Sequence, residues 1–335
     1  MSRGMAVAIV MAACAHGHPL PITIGPAHEL LVPVVVNGQE LELQLDTGAS
    51  TTTITPAARD RLHVQADRSF VPSAGAAGRI ANVERTIISA ELATFGVKDL
   101  RAAVIALDNG GVSDGLLGMD VLRYFVSDVD LAHHRLVLYG RGDVSWRTPD
   151  LVGVPYTELE NGQVELAVVL DGRDATAILD LGANQSFANQ LAAPARDDVA
   201  RMLTATVGAD GHPWQFRAFG DVALRVGDVP LVVPTLLVGD LPIFRELGLA
   251  SRPAIIIGAD LLASRRVVID PTHHRVYLST LAGGVAWAPL EPPVDRLEVN
   301  RRPRDFTSLR ASTVTRGERF DTRGDYADAG IDTAK

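Results

Sequence analysis

Two halves of the sequence repeat each other at a nearly constant spacing. The turn dipeptides Asn37-Gly38 and Asp171-Gly172 lie 134 positions apart, and so do Asp46 and Asp180. Two later pairs of residues are 140 positions apart, Gly118 with Gly258 and Asp130 with Asp270. A repeat of this kind indicates two homologous lobes in one chain. We place these lobes at residues 28–145 and 150–282.

The first half contains a pattern typical of a β-hairpin that ends in a carboxylate. Leu41, Leu43 and Leu45 alternate with polar residues, as they would in a strand with one buried face. The dipeptide Asn37-Gly38 separates this run from the apolar run before it, and such a dipeptide favours a type I′ turn. The pattern therefore predicts that Asp46 lies at the end of a strand, where the core stops and a cleft can begin.

Short runs rich in β-forming residues recur through both halves, with Gly, Pro or Asn between them. This spacing predicts an all-β fold class. The segments Asp-x-x-His-His-Arg that begin at Asp130 and Asp270 look at first like metal ligands. Because they repeat between predicted strands, they favour a polar hairpin turn over a zinc site.

Composition excludes several classes of function. The chain has 335 residues, of which 47% are hydrophobic, so it can bury a sizeable core. Its net charge is −9 and its only lysines are Lys98 and Lys335, which leaves no basic stripe to neutralise nucleic-acid phosphates. The single cysteine, Cys14, excludes a disulfide framework and a multi-cysteine metal site. We therefore expect no nucleic-acid partner, no metal and no cofactor.

The two ends of the chain differ in character from the lobes. Residues 1–15 contain a basic residue, an apolar run and the small residues Ala13-Cys14-Ala15, which is the pattern of a secretory signal peptide. The residues before Cys14 also resemble a lipoprotein box, so a lipid on Cys14 could attach the protein to a membrane. The alternative is a buried N-terminal strand. We expect an exported protein, periplasmic or secreted, and a flexible polar tail over residues 283–335.

The tetrapeptide Asp46-Thr47-Gly48-Ala49 after an apolar strand resembles the active-site segment of aspartic proteases, and its alanine resembles the retroviral type. In that family an apolar pair, a glycine and a short helix follow, and they pack under the catalytic turn. The segment 115–122 has this order. The resemblance implies two homologous acid-protease β-barrel lobes, with short helices after the Leu-Leu-Gly and Ile-Ile-Gly segments. Asp120 and Asp260 would then lie at the starts of these helices.

The resemblance also implies a catalytic pair, Asp46 from the first lobe and Asp180 from the second. Two facing carboxylates cannot both ionise freely, so they share a proton and hold a water molecule between them. One then acts as a base on the water while the other protonates the substrate carbonyl, which is the known division of labour in aspartic proteases. The substrate would be a polypeptide, and a single chain that supplies both aspartates is expected to act as a monomer.

The second turn departs from the family at Leu181, where the family has Thr or Ser. That hydroxyl normally bonds across the boundary between the lobes. Its loss costs only about 1 kcal/mol of stability, whereas a small displacement of a catalytic group can cost roughly 100-fold in rate. The supporting residues of the two catalytic turns are Thr47, Gly48, Ala49, Ser50, Leu181, Gly182, Ala183 and Asn184.

Two segments are candidates for contact with a substrate. Gly75 and Gly78 belong to a Gly-rich stretch that lies where the family has its flap, although a plain solvent loop has the same composition. Trp214 and Phe216 lie where a counterpart of the flap would be in the second lobe. They could grip a substrate side chain, and packing in the core or at an interface is the alternative.

Three hypotheses about function remain open at this point. The first is an exported aspartic endopeptidase that uses both aspartates. The second is a pseudoprotease, disabled by Leu181, that binds peptides without cutting them. The third keeps only the first lobe active, through pairing of Asp46 with Asp46 of a second chain. Replacement of Asp180 by asparagine separates these hypotheses, because it abolishes cleavage under the first and spares it under the third.

Overall fold

The computed structural model describes most of the chain before residue 281. The described residues are 8–11, 17, 19–65, 67–75, 78–107, 111–195, 201–207 and 212–280. Both predicted lobes belong to one compact unit, Met1–Glu291. Cys14 and the predicted tail 283–335 lie outside the described residues. Lipidation of Cys14 and flexibility of the tail therefore stay predictions.

Strands dominate the first lobe, and the predicted all-β fold class is confirmed. Its strands are β1 Ala8–Met11, β2 Pro19–Pro21, β3 Thr23–Ile24, β4 Leu30–Val36, β5 Gln39–Leu45, β6 Thr53–Ile54, β7 Asp67–Gly75, β8 Gly78–Leu92, β9 Phe95–Val104, β10 Gly115–Leu117, β11 Val126–Asp130 and β12 Arg135–Tyr139. Its helices are short, and they are α1 Pro56–Arg61, α2 Met119–Leu122 and the 3-10 helix Leu131–His133.

The second lobe has the same character. Its strands are β13 Leu151–Glu158, β14 Val164–Leu170, β15 Arg173–Leu179, β16 Phe187–Ala188, β17 Arg201–Val207, β18 His212–Val226, β19 Val229–Val238, β20 Ala254–Ile257, β21 Arg266–Asp270 and β22 Arg275–Ser279. Its helices are α3 Pro242–Glu246 and the 3-10 helices Gln190–Ala192 and Ala259–Leu261. The short helix expected after Ile-Ile-Gly is thus a single 3-10 turn.

Each lobe is a strongly curved, barrel-like sheet. In the first lobe the strand order is β1-β9-β6-β10-β5-β4-β8-β7, and an additional pairing of β8 with β9 closes the sheet. In the second lobe the order is β17-β18-β19-β16-β20-β15-β14-β13, and β18 also pairs with β14. This closure gives each lobe an apolar interior and leaves few open sheet edges.

The two lobes meet in one sheet to which both contribute. Its strand order is β13-β22-β21-β11-β12-β2, so each lobe contributes three strands, and the lobes meet where β11 pairs with β21. In that pair Asp128 lies opposite Val268. These positions differ by 140, the spacing of the sequence repeat. The shared sheet therefore fixes one lobe against the other about an approximate twofold axis.

A buried ion pair lies at this junction. Arg266 Nε and Nη2 each donate to the carboxylate of Asp128 at 2.7 Å. The guanidinium also donates to Trp146 O at 2.6 Å and to Thr148 Oγ1 at 3.1 Å. The Asp128 side chain is only 2% exposed, so its charge depends on these donors.

Both predicted type I′ turns are confirmed. Asn37 and Gly38 have φ angles of 49° and 80°, and Asp171 and Gly172 have φ angles of 50° and 78°. Asparagine, aspartate and glycine tolerate this left-handed region better than other residues do. The turns join β4 to β5 and β14 to β15, the hairpins that end just before the two aspartates.

The predicted polar turns at the His-His pairs are also confirmed. The ring of His133 lies 2.9 Å from the carboxylate of Asp130, and the ring of His273 lies 2.6 Å from that of Asp270. The following residue, His134, adopts a left-handed φ of 52° that reverses the chain. Over the residues that the structure describes, no group of three or more His, Cys, Asp or Glu side chains could hold a metal ion.

Part of the predicted signal segment is a strand. Residues Ala8–Met11 form β1, which pairs antiparallel with the start of β9. Removal of residues 1–15 stays a prediction. In the described part of the chain, the helices are too short or too polar to cross a membrane.

Replacement of Arg266 by methionine should lower the free energy of unfolding by about 3–5 kcal/mol, because it leaves the Asp128 charge buried and unpaired. Chemical denaturation measures this loss. The double variant Arg266→Met with Asp128→Asn should regain much of the stability, since no buried charge remains. Arg59→Met, which breaks the ion pairs of Arg59 with Asp60 and Glu84 at the surface, should cost much less. A similarly small loss for Arg266→Met would contradict the view that Arg266 compensates the buried charge of Asp128.

Candidate active site

Asp46 and Asp180 occupy equivalent positions at the ends of strands β5 and β15. Each of these strands pairs in parallel with a short strand from later in its own lobe, β10 in the first and β20 in the second. The amide of Asp46 donates to Leu117 O at 3.1 Å, and the amide of Asp180 donates to Ile257 O at 2.9 Å. The backbone of each aspartate is therefore fixed by a buried strand of its own lobe.

The two carboxyl groups face each other across the boundary between the lobes, and each is close enough to shift the pKa of the other. A Cβ atom on Gly48 would lie 2.3 Å from Asp180 Cγ, and a Cβ atom on Gly182 would lie 2.3 Å from Asp46 Cγ. Such distances are impossible between non-bonded atoms, so both positions need glycine. The chain thus brings together the two aspartates that the sequence repeat had paired.

Each carboxylate is also held by its own turn. Asp46 Oδ1 accepts hydrogen bonds from Gly48 N at 2.9 Å and from Ala49 N at 2.8 Å. Asp180 Oδ1 accepts the equivalent pair from the amides two and three residues later, at 2.9 and 3.1 Å. Amide donors favour the ionised form of a carboxyl group. They also orient both carboxyl groups before any substrate binds.

Burial raises the pKa of Asp46 well above its ordinary value, and the neighbouring charge of Asp180 raises it further. Burial also raises the pKa of Asp180, while the backbone donors of its turn lower it. The two groups titrate as a pair, so they hold one proton between them at pH values where an isolated aspartate is ionised. Both residues remain partly exposed, so the pair can be reached from solvent.

One hydroxyl bridges the two turns. Thr47 Oγ1 donates to Leu179 O at 2.9 Å and accepts from Leu181 N at 2.9 Å. Thr47 is 1% exposed, so water does not compete for these bonds. On the other side, the Leu181 side chain is 1% exposed and packs in the main hydrophobic core. The turn at Leu181 therefore keeps its position without the hydroxyl that the family has there.

Two glutamines, which the sequence did not mark as functional, also bridge the turns. Gln44 Nε2 donates to Gly182 O at 2.8 Å, and Gln163 Nε2 donates to Gly48 O. Gln44 lies two residues before Asp46 in the alternating strand, and this position is a weak sequence signal. Nothing in the sequence around Gln163 indicates a contact with the first lobe.

The segments under the two turns match the family pattern. The first residue of α2 and the first residue of the 3-10 helix after β20 each donate their amide to an alanine carbonyl of the catalytic turn, at 2.8 Å in both lobes. Asp120 and Asp260 lie at the starts of these helices, as predicted. Asp120 accepts from Thr52 Oγ1 at 2.6 Å and Asp260 from Ser186 Oγ at 2.7 Å, so these aspartates support the turns. Burial raises the pKa of both.

The remaining predicted site residues are placed differently. The expectation that Phe216 grips a substrate needs correction, because its ring is fully buried in the core of the second lobe. Trp214 is partly buried beside that core, and its contact with substrate stays a prediction. Gly75 and Gly78 pair at the end of the β7–β8 hairpin, and β7 lies next to α3 of the second lobe. Ser50 is exposed at the end of the first turn.

Asn184 extends the second turn toward the first lobe. Its Nδ2 donates to Ala27 O at 2.8 Å, so a polar side chain of this turn does contact the other lobe. This contact lies at the rim of the site, since the Asn184–Ala27 bond is exposed.

Comparison with known proteins agrees with this geometry. The model of the aspartyl protease family matches residues 32–121. DNA damage-inducible protein 1 of Chaetomium globosum is 28% identical over 122 residues, which cover 36% of this chain and 27% of that protein. The resemblance to retropepsin-like aspartic proteases is confirmed. The matched region spans about a quarter of the length of this curated relative.

The crystal structure of an aspartic proteinase from Irpex lacteus extends the likeness to both lobes. It superposes with a TM-score of 0.52 and 15% identity, and the match covers 81% of this chain and 99% of that one. At this identity the match shows the fold alone. The aspartic protease family match and the aspartic protease fold together support a peptidase function.

Replacement of Asp46 by asparagine should stabilise the protein at neutral pH. A carboxyl group whose folded-state pKa is raised destabilises the fold as pH rises above its unfolded value of about 3.9. The melting temperature of Asp46→Asn should therefore exceed that of the wild type by on the order of 2 °C or more at pH 7. The difference should vanish below about pH 4. A variant that is less stable than the wild type at pH 7 would contradict the mutual burial of the pair.

Proposed function

We propose that the protein is an aspartic endopeptidase in which Asp46 and Asp180 activate a water molecule to hydrolyse peptide bonds. The observation that carries this proposal is the facing pair of carboxyl groups, each at the end of a strand and each bound by two amides of its own turn. Mutual burial of the pair leaves one proton between them at pH values where an isolated aspartate is ionised.

In the starting state we assign the shared proton to Asp46 and the ionised form to Asp180. Ionised Asp180 takes a proton from the water, and the resulting hydroxide oxygen bonds to the carbonyl carbon of the peptide. Protonated Asp46 gives its proton to the carbonyl oxygen, which yields a neutral tetrahedral diol. Asp180 then passes its new proton to the amide nitrogen, the C–N bond breaks, and one diol hydroxyl returns a proton to Asp46. The pair ends in the state in which it began.

The substrate in this proposal is an extended polypeptide that lies in the cleft between the lobes. Strand-like segments bind such a chain through backbone hydrogen bonds, and the β7–β8 hairpin is the candidate for a covering flap. Gly75 and Gly78 at the end of this hairpin would permit it to move, and Trp214 would contact a substrate side chain. The chain would act as a monomer after export, with lipidation of Cys14 as a further proposal.

Leu181 is the observation that favours the pseudoprotease alternative, because the hydroxyl it replaces helps to position the dyad. Thr47 retains the other arm of that brace, which favours an active enzyme. The homodimer alternative requires Asp46 to face its own copy in a second chain. Asp180 already fills the position opposite Asp46, and this disfavours the alternative.

Cleavage of an unfolded polypeptide by protein that lacks residues 1–15 tests the proposal. Asp46→Asn and Asp180→Asn should each reduce kcat on the order of 10⁴-fold, because each removes one proton-transfer group. Asp171→Asn removes the same charge in a hairpin turn and should retain full activity. The rate should be bell-shaped in pH, and both limbs should lie above the pKa of an ordinary aspartate, about 3.9.

Three results would redirect the proposal. Full activity in Asp180→Asn would support pairing of Asp46 between two chains. Peptide binding without cleavage by well-folded wild type would support the pseudoprotease. Cleavage that resists a transition-state-mimicking inhibitor of aspartic proteases would point to a contaminating enzyme.

A further inference from the structure

Each lobe donates one glutamine amide to the catalytic turn of the other lobe. Gln44, in strand β5 of the first lobe, donates to Gly182 O at 2.8 Å. Gln163, immediately before β14 in the second lobe, donates to Gly48 O. Gly48 and Gly182 are the two glycines whose lack of a Cβ lets the carboxyls approach each other. The glutamines therefore act on the part of each turn that lies nearest the dyad.

The acceptor of each glutamine belongs to the same peptide group as a donor to an aspartate. Gly48 O and the amide of Ala49 form one planar unit, and Ala49 N donates to Asp46 Oδ1 at 2.8 Å. Gly182 O and the amide of Ala183 form the other, and Ala183 N donates to Asp180 at 3.1 Å. A bond to the carbonyl end of a peptide group orients its N–H end and polarises it toward its acceptor.

The orientation of Gln163 is itself fixed. Gln163 is only 4% exposed. Asn161 Nδ2 donates to Gln163 Oε1 at 2.6 Å, which leaves Nε2 directed at Gly48. Asn161 Oδ1 in turn accepts from Gln163 N at 3.2 Å, so the two side chains form a closed pair. The turn at 159–163 thus presents a single, oriented donor to the first lobe.

This turn is docked on the first lobe at several points. A Cβ atom on Gly162 would lie 3.3 Å from Met119 Cβ, so the turn packs closely against α2. Glu158, just before the turn, forms an ion pair with Arg123 at the end of α2. The hydrogen bond from Gln163 is therefore one of several contacts that hold this turn against the first lobe. Together these contacts fix the position of the Gln163 side chain.

The first lobe has the corresponding turn without the corresponding donor. Residues 25–29 lie 134 positions before 159–163 and close with the same backbone bonds, Gly25 N to Glu29 O at 2.8 Å and Leu159 N to Gln163 O at 2.9 Å. The residue at the position of Gln163 is Glu29, whose carboxylate accepts from Ala27 N at 2.9 Å within its own turn. The donor to the second turn comes instead from Gln44.

We propose that Gln44 and Gln163 are positioning residues that hold the peptide groups of the two catalytic turns and so replace the hydroxyl that is absent at Leu181. This inference rests on the proposed peptidase function for its effect on rate. Each glutamine orients the amide that holds one carboxylate. Together the two glutamines connect the catalytic turns across the lobe boundary, where the hydroxyl of Thr47 forms the other bridge.

The variants Gln163→Met and Gln44→Met test this inference, because methionine keeps the length of the side chain and removes the donor. Each should lower kcat by about 10–100-fold and change KM less than about 3-fold, since the loss is one of geometry at the reacting groups. Gln39→Met is the matched control. Gln39 Nε2 donates to Arg61 O within the first lobe at 3.3 Å, and its loss should leave kcat unchanged.

A rescue distinguishes positioning from general support of the fold. Leu181→Thr restores a hydroxyl in the second turn, so the double variant with Gln163→Met should regain at least about 3-fold in kcat over Gln163→Met alone. Thermal unfolding of each variant checks that the protein remains folded. A loss of kcat that Leu181→Thr leaves unchanged, in protein with a lowered melting temperature, would assign Gln163 a structural role only.

Amide hydrogen exchange tests the inference without activity. Exchange of the Ala49 amide should be about 10-fold faster in Gln163→Met, and that of the Ala183 amide in Gln44→Met, with neither altered in Gln39→Met. Unchanged exchange would overturn the inference whether or not the protein cuts peptides. Faster exchange in a protein without peptidase activity would uphold the inference about the turns and reject the proposed function.

One kinetic outcome would overturn the inference in a specific way. A fall in KM with an unchanged or higher kcat in the glutamine variants would mean that the two amides occupy carbonyls that the substrate needs. The glutamines would then compete with the substrate instead of positioning the dyad.

Discussion

The structure depends on the contact between two half-buried carboxyl groups, which would repel each other if both were ionised. Such a contact is unfavourable unless the pair shares a proton and other donors hold it. Gly48 and Gly182 provide the space, the amides of each turn provide the donors, and Thr47 bridges the turns. The surrounding contacts near the lobe boundary can be understood as support for this one pair.

That support has two layers. Near the pair, Asp120 and Asp260 support the two catalytic turns by accepting hydrogen bonds from the residues that follow each turn. Farther away, the shared sheet fixes one lobe against the other, with Arg266 and Asp128 at its centre. The relative position of the two carboxyls therefore depends on this shared sheet and on the close-packed core around it.

The two halves are similar but not equivalent. Thr47 in the first turn bonds across the boundary, whereas Leu181 in the second turn packs in the core. Burial raises the pKa of both aspartates, which lie in turns that differ at this one position. A pair built from two different lobes can assign a fixed role to each carboxyl. Two identical chains would leave those roles interchangeable.

The sequence by itself determined the local elements: the hairpins with their type I′ turns, the strands that end at Asp46 and Asp180, and the short turns beneath them. These follow from alternation, turn residues and repetition, which act over a few neighbouring positions. Only the tertiary structure placed Phe216 in the core and directed Gln163 to Gly48, a residue 115 positions away. Contacts of this kind have no sequence period, because they depend on how two completed lobes meet.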